Sequence, residues 1–572
     1  MTSLRHTLRT FARGALRPPD NDSAFLLDVH RRAVPTERMA RYDNDYEADL
    51  VIVGAGAGGS TLAQRLARRG WKIVVLDAGP FWDPDRDWVS DEAGSHKLFW
   101  NEERVIGGTD PVELGKNNSG RGVGGSMVHY AGYCPRFHPS DFEQWPISYS
   151  DLRRHYERLE LELPVSGDSW PWGDPHRYPH TPHPVTGGAE LAREGARRLG
   201  IEMRVGPVGI TNGAFGNRPH CIYRGFCLQG CKVNAKASPL VTHLPDAIEH
   251  GVEVRAECMA SRVVVDETGG RVVGVQYFDR DGAEWLQRGA AVAVAGYSIE
   301  TPRLLLNSAT GRFPYGLGNS NDQVGRCVMV QGAPQVAGRF PVEMRMYKAP
   351  PPEISSEQFY ETDPERGFER GFSIQTVGPL PIAWAEHVLA AGHWGQALRE
   401  YMRDYNHWFT LGALSELLPL AENRVTLASD VTDSHGLPVA RMDYSQCEND
   451  RKNIAYAKET LRRILAAAEA QDILEIDRYA HLVGGCRMGA DPEHSVVDSD
   501  HRVWELPNLF ITDGSVMATQ GSANPALTIM ALASRLAERL DGKRVSRSGR
   551  TRSRRSLQLP QRRPAPLRAG GG

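Results

Sequence analysis

Nowhere in this chain does an apolar run approach the ~18 residues a membrane-spanning helix needs, so none is indicated. A basic segment followed by an apolar one is also missing. Arg31 and Arg32 lead into polar sequence, so no secretory signal is expected. Cysteine is scarce, with 8 in 572 residues, which excludes a disulfide framework and leaves burial or thiol chemistry. Net charge is scarce too: −3 overall gives no electrostatic footprint for nucleic acid. Acidic residues are absent before Asp20 and after Asp541. The N-terminal stretch instead carries Arg5, Arg9, Arg13 and Arg17 at helical spacing, a basic stripe that suits a frayed arm or a surface contact. The basic tail 542–572 is expected to be disordered.

What is present is a long globular sequence with 58 glycines gathered into motifs. Its length exceeds one simple core and points to two or three domains. The run DLVIVGAGAGGSTLAQRLARRGWKIVVLDAG, 49–79, reads as strand, glycine turn, helix and strand. Gly54, Gly56 and Gly59 form G-x-G-x-x-G. The first permits the turn, the second a close approach of pyrophosphate, and the third close packing of the helix on the sheet. Asp77, ending the second strand, is placed for ribose hydroxyls. The unit predicts a dinucleotide site without deciding between FAD and NAD.

A second glycine loop, NNSGRGVGGSMVHYAGYCPR (117–136), contains Gly124, Gly125 and Ser126, followed by His129. Such glycines imply backbone lying against a ligand. Near the C-terminus stand HLVGGCRMG (481–489), LPNLFITDGS (506–515) and an Asn524-Pro525 pair opening a helix. Pro525 suits the first helical position.

This ordered set resembles the glucose–methanol–choline (GMC) oxidoreductase family over roughly residues 47–541. The segment AGYSIETPRLLLNSA, 295–309, is similar to the family's second signature, with Tyr297 and Ala309 departing from it. Gly485 likewise stands where threonine is usual. The resemblance implies an α/β (α+β) fold: a Rossmann-like FAD-binding domain assembled from discontinuous segments, and a substrate domain built on an antiparallel sheet. It implies FAD on Gly54, Gly56, Gly59 and Asp77, with Asp513 and Gly514 on the ribityl-phosphate side. His481 would be the catalytic base and Asn524 its partner at the substrate oxygen. The helix after Pro525 would support negative charge on the reduced flavin. The G-G-x-x-x-H arrangement is similar to that of relatives whose histidine carries FAD covalently, which implies covalent FAD at His129.

The stretch CIYRGFCLQGC, 221–231, places Cys221, Cys227 and Cys231 in C-x5-C-x3-C spacing. It resembles the segment that holds a [3Fe-4S] cluster in bacterial FAD glucose dehydrogenases. Four-cysteine clusters need one more ligand than this stretch supplies. Plain buried thiols and a zinc site remain as alternatives, with His220 poorly spaced as a fourth zinc ligand.

The expected plan is an N-terminal arm (1–46), FAD-domain segments (47–150, 221–310 with the cysteine loop, and 477–541), a cap segment (151–220), a substrate domain (311–476) and the tail. The expected activity is FAD-dependent oxidation of a CH–OH group of an alcohol, sugar, polyol or sugar acid. Electrons would leave through the cluster to cytochrome c or an accessory subunit. Two readings compete with it: an oxidase releasing peroxide, and a non-catalytic flavin-binding subunit. Tyr360, Phe372, Trp384, Trp394 and Trp408 are candidates either for sugar stacking or for core, and Tyr479 and Ala480 are candidate pocket neighbours. This chain alone points to the cytoplasm, while related periplasmic enzymes are exported with a partner, so location stays open.

Overall fold

The computed structural model describes residues 36–545, apart from 89, 110, 112–118, 214 and 217. The N-terminal basic stripe, the tail beyond 545, and Asn117 and Asn118 lie outside the described residues. No described helix is long and apolar enough to cross a membrane.

The strands Leu50–Val53 and Ile73–Leu76 are apolar at nearly every position because both of their faces are covered. They pair in parallel and form the middle of a five-stranded sheet ordered 509–511, 292–294, 50–53, 73–76, 252–255. Helix Ala57–Ala67 lays Leu62 and Leu66 into a core shared with Leu536 and Leu540 of helix Ala526–Val545. The same C-terminal helix packs on Tyr149–Glu162, where Tyr156 Oη and Thr528 Oγ1 lie 2.9 Å apart. Helix Gly187–Arg198 instead joins the core of the second sheet through Ala189, Ala192 and Ala196. The 151–220 segment is thus divided between the two layers.

The second layer is an eight-stranded, antiparallel-paired sheet. Its main path runs 472–476, 335–339, 408–415, 372–377, 354–356, 204–205, with Met329–Gly332 and Tyr479–Val483 attached beside 408–415. Helix Glu448–Ala467 covers it with Leu461, Ile464 and Leu465. The aromatic candidates belong mostly to the interior. Tyr360, Phe372, Trp384 and Trp408 are buried, and Trp394 is 78% exposed. None of the five lines the large cavity described next. Aromatic composition says nothing about which way a strand faces, and here filling the core won.

Candidate active site

One cavity of about 410 Å³ lies between the two layers. Four parallel strands point their carboxyl ends into it, and each contributes the residues just beyond: Gly54, Asp77, Gly296 and Asp513. Ligands of open α/β sheets bind at this edge.

The first glycine loop is built by close approaches. Gly54 has φ +100°, and a Cβ there would meet Ala295 O at 2.3 Å. A Cβ on Gly59 would lie 2.0 Å from Gly54 O, so this glycine seats the helix on the turn. Gly58, not singled out by the motif, is tighter still, at 1.6 Å from Thr512 O. Around Gly56 the nearest atom is Gly125 Cα at 3.7 Å, so the two glycine loops face each other with no side chain between them. Gly124 and Gly125 both have positive φ, +103° and +57°. Ser126 Oγ accepts from the Gly120 amide at 2.9 Å and fixes the second loop.

Asp77 is buried at the cavity wall. Its carboxylate accepts from the amides of Ala55 (2.9 Å) and Gly79 (3.0 Å), while burial raises its pKa. Asp513 performs a similar service across the cavity. It accepts from Tyr297 N at 2.9 Å, Ser515 N at 2.8 Å and Thr301 Oγ1 at 2.5 Å, tying the start of helix Tyr297–Asn307 to its own turn at the edge where Gly514 also stands. Tyr297, where a small residue is usual, takes φ +81°, and Gly485 takes φ +101°, a conformation that suits glycine rather than threonine.

His129 caps the short 3-10 turn Gly125–Val128 and lines the cavity. Phe99 meets its ring edge-on at 4.9 Å. Among the described residues its buried Nε2 has no hydrogen-bond partner. Burial first, then the charge of Lys236, lower its pKa to about 3, so the ring is neutral. Lys236 donates to the carbonyls of Val128 and Tyr130, both at 2.8 Å, and also to Cys227 O. One ammonium therefore ties the residues on either side of His129 to the cysteine loop.

His481 and Asn524 come together at the other end of the cavity. His481 is the extra residue of a β-bulge: Val330 pairs with Leu482, but Gln331 pairs with Ala480. The bulge carries His481 at φ +41°, a strained backbone for a non-glycine residue, and re-aims its side chain. Asn524 Nδ2 donates to Nε2 at 3.0 Å, and Nδ1 donates to Gln331 Oε1 at 2.6 Å. Gln331 sends its own amide hydrogens to Gly521 O (2.8 Å) and Ala523 O (3.4 Å), so its oxygen must face the imidazole. That assigns the Nδ1–H tautomer, with the Nε2 lone pair accepting from Asn524. Burial lowers the His481 pKa to about 4. Tyr479 and Ala480 line the cavity as their position beside His481 implied. Pro525 also lines it, just ahead of helix Ala526–Val545, which therefore begins one residue later than Pro525 itself.

The three cysteines share a separate cavity of about 40 Å³. Gly225 and Gly230, both at positive φ, let their loop pass between Tyr347 and Trp88. Cys221 Sγ accepts from the Tyr223 amide and Cys231 Sγ from the Lys236 amide, each at 3.4 Å. Burial pushes the thiols of Cys221 and Cys227 up to about 11 and 12. Among the described residues no three His, Cys, Asp or Glu side chains, the three cysteines included, are placed to hold a metal ion. Leu228, next to Cys227, lines the large cavity, so the two cavities are separated by a single turn of loop.

Gln331, Gly58 and Lys236 were not foreseen. A lone polar residue in the apolar strand Met329–Gly332 was the one available signal for Gln331.

Comparison with known proteins agrees with this layout. The N-terminal sequence profile of GMC oxidoreductases matches residues 48–330, and the C-terminal profile matches 419–533. The chain is 32% identical to 2-methyl-1,2-propanediol dehydrogenase of Mycolicibacterium austroafricanum, over 86% of this chain and 94% of that protein. It is 28% identical to the fructose dehydrogenase large subunit of Gluconobacter japonicus, over 86% and 97%. Among solved structures, pyridoxine 4-oxidase from Mesorbium loti shares the fold with a TM-score of 0.61 at 18% identity, over 86% of this chain and 99% of that one.

Proposed function

The chain belongs to the GMC oxidoreductase family of FAD-dependent enzymes acting on alcohols and sugars, and from that premise we propose that it oxidises a CH–OH group of a sugar, polyol or sugar acid with His481 as the base. The observation that carries this reading is the Gln331–His481–Asn524 chain of hydrogen bonds at the cavity wall. It holds a neutral imidazole with its Nε2 lone pair beside an amide donor.

The cavity residues fit FAD. Gly54, Gly56 and Gly59 give a cradle free of side chains, Gly124, Gly125 and Ser126 face it, and Asp77, Asp513 and Gly514 stand at its wall. FAD, when bound, supplies the two-electron acceptor for the hydride leaving carbon. The substrate hydroxyl would displace the Asn524 amide from Nε2 of His481, which then takes the hydroxyl proton, and Gln331 Oε1, accepting from Nδ1–H, stabilises the charged ring. Asn524 positions the substrate oxygen and stabilises negative charge developing there. The N-terminus of helix Ala526–Val545, beside Pro525, places positive potential at the same wall.

Two finer readings follow from orphaned groups. The unpartnered, neutral Nε2 of His129 is suited to covalent attachment of FAD. Three thiols lining one small cavity match the ligand number of a [3Fe-4S] cluster. That assignment makes the chain a dehydrogenase that serves cytochrome c or an accessory subunit.

The test is flavin, iron and acid-labile sulfide on anaerobically purified protein, with reduction by a panel of polyols and sugars. Flavin reduction and iron to flavin near a ratio of about three to one are expected. Flavin reduction without iron, with peroxide released in air, would replace the dehydrogenase by an oxidase. No reduction by any CH–OH compound would overturn the function.

A further inference from the structure

The cavity wall that carries His481 also holds a cation that no acid pairs with among the described residues. Of the arginines that line the cavity, Arg104 binds Glu300 at 2.9 Å, Arg303 binds Glu300 and Asp433, and Arg121 donates to Asn101. Arg478 differs from all of these. Among the described residues its guanidinium has no hydrogen-bond or ion-pair partner, and it is only partly exposed. Its nearest opposing influence is the exposed Glu386, too distant to form an ion pair, and neighbouring His387 stays neutral. A recessed, unpaired guanidinium is costly unless something anionic meets it during function.

Its position relative to the base is fixed by the sheet. Arg478 O accepts from the Ala333 amide at 2.8 Å immediately before strand Tyr479–Val483, so Arg478 precedes His481 by three residues, roughly 10 Å along extended backbone. Beside it runs a cross-strand row of Ile476, Gln335, Gly412 and Gln375. Gln335 and Gln375 line the cavity, and the amide oxygen of each is buried without a partner. Gln335 itself is only 6% exposed. Gly412 supplies the gap between them: a Cβ there would meet Val377 at 2.9 Å and Gln335 at 3.4 Å. One wall therefore offers two carboxamides and one carboxylate-binding fork.

We infer that Arg478 is the anchor for an anionic group of the substrate, and that the enzyme's substrate is a hydroxy acid of the sugar-acid kind, its carboxylate on Arg478 and its secondary hydroxyls on Gln335 and Gln375. This deepens the proposed function and rests on His481 being the base. A guanidinium grips a carboxylate through two parallel N–H bonds, which a neutral aldehyde or alcohol terminus cannot match. The same charge repels an amino sugar.

The test uses FAD-loaded full-length protein and two matched pairs of probes, gluconate against glucose and glycerate against glycerol. Anaerobic flavin reduction gives kcat/KM for each. The wild type is expected to favour the acid of at least one pair, and that ratio is expected to fall on the order of 100-fold in Arg478→Gln, with partial recovery in Arg478→Lys. Salt should weaken the acid and not the neutral partner. Retention of FAD by the variants separates misfolding from lost recognition. Preference for the neutral partner in both pairs, or an acid-to-neutral ratio unmoved by Arg478→Gln, overturns the inference while leaving the oxidation itself intact. Absence of flavin reduction by all four probes and by the wider alcohol panel instead removes the reading beneath it.

Discussion

His481 Nδ1 lies 2.6 Å from Gln331 Oε1, and this contact decides which imidazole nitrogen faces the cavity. Gln331→Met removes the acceptor, and the ring is then free to take either tautomer. kcat is expected to fall about 10- to 100-fold, the usual cost of removing a group that orients a functional histidine, with KM little changed. Gln331→Glu places a carboxylate on Nδ1–H and favours the imidazolium. Its acid limb should therefore move to higher pH than in the wild type. Steady-state kinetics across pH reads both effects, and an unmoved acid limb in Gln331→Glu would show that the contact does not govern the base.

The wild-type acid limb follows from burial. Desolvation disfavours the charged ring and lowers the His481 pKa to about 4 from an ordinary value of 6.5. The base is therefore neutral at pH 7, and the rate of flavin reduction should be flat down to about pH 5 and fall as pH passes through about 4. A limb centred near the ordinary histidine value would show that this imidazole is more solvated than the cavity allows.

His129 offers a yes-or-no measurement. Acid precipitation of the wild type should carry the yellow flavin down with the protein, and His129→Ala should release it to the supernatant. Among the described residues the ring has no hydrogen-bond partner at Nε2 to lose, so the variant should fold, its loss of thermal stability coming from the packing of the buried ring. Release of flavin from the wild type would remove the covalent assignment.

Two glycines of the first loop, Gly56 and Gly58, separate cofactor binding from folding. Gly56→Ala meets nothing closer than 3.7 Å, so the protein should fold normally but bind FAD poorly, because the methyl occupies the cradle. Gly58→Ala drives its methyl to 1.6 Å from Thr512 O, which neither backbone can relieve cheaply. A loss of about 3 kcal/mol or more, or insoluble protein, is expected there. Thermal melts with and without added FAD distinguish the two.

The parts of this molecule that could be read from sequence are those whose physics is local. The turn at Gly54, the helix behind it and the strand ending at Asp77 lie within one continuous segment, and their glycines, apolar runs and acid constrain one another. His481 and Asn524 emerged through the motifs around them. Gln331 did not, because it acts on His481 from 150 residues away and through a bulge that no local pattern encodes. Arg478 likewise looks like any surface arginine until the fold shows that no acid among the described residues pairs with it. The aromatics of 360–408 stayed ambiguous for the complementary reason: Trp384 and Trp408 are as suitable for stacking on a sugar as for filling a core, and only the packing of helix Pro381–Ala390 and strand Trp408–Ser415 decides. Gly58 sits in an unspecified position of its motif, yet its approach to Thr512, contributed by a distant strand, is the closest of that loop.

The most direct measurement is anaerobic stopped-flow reduction of the bound flavin by a turned-over alcohol or sugar acid in wild type and His481→Ala, at matched FAD occupancy. Reduction at least about 100-fold slower in the variant, with the substrate dissociation constant little changed, is the expected result for loss of a general base. Equal rates in the two proteins would contradict the assignment of His481 and, with it, the chemistry proposed for this site.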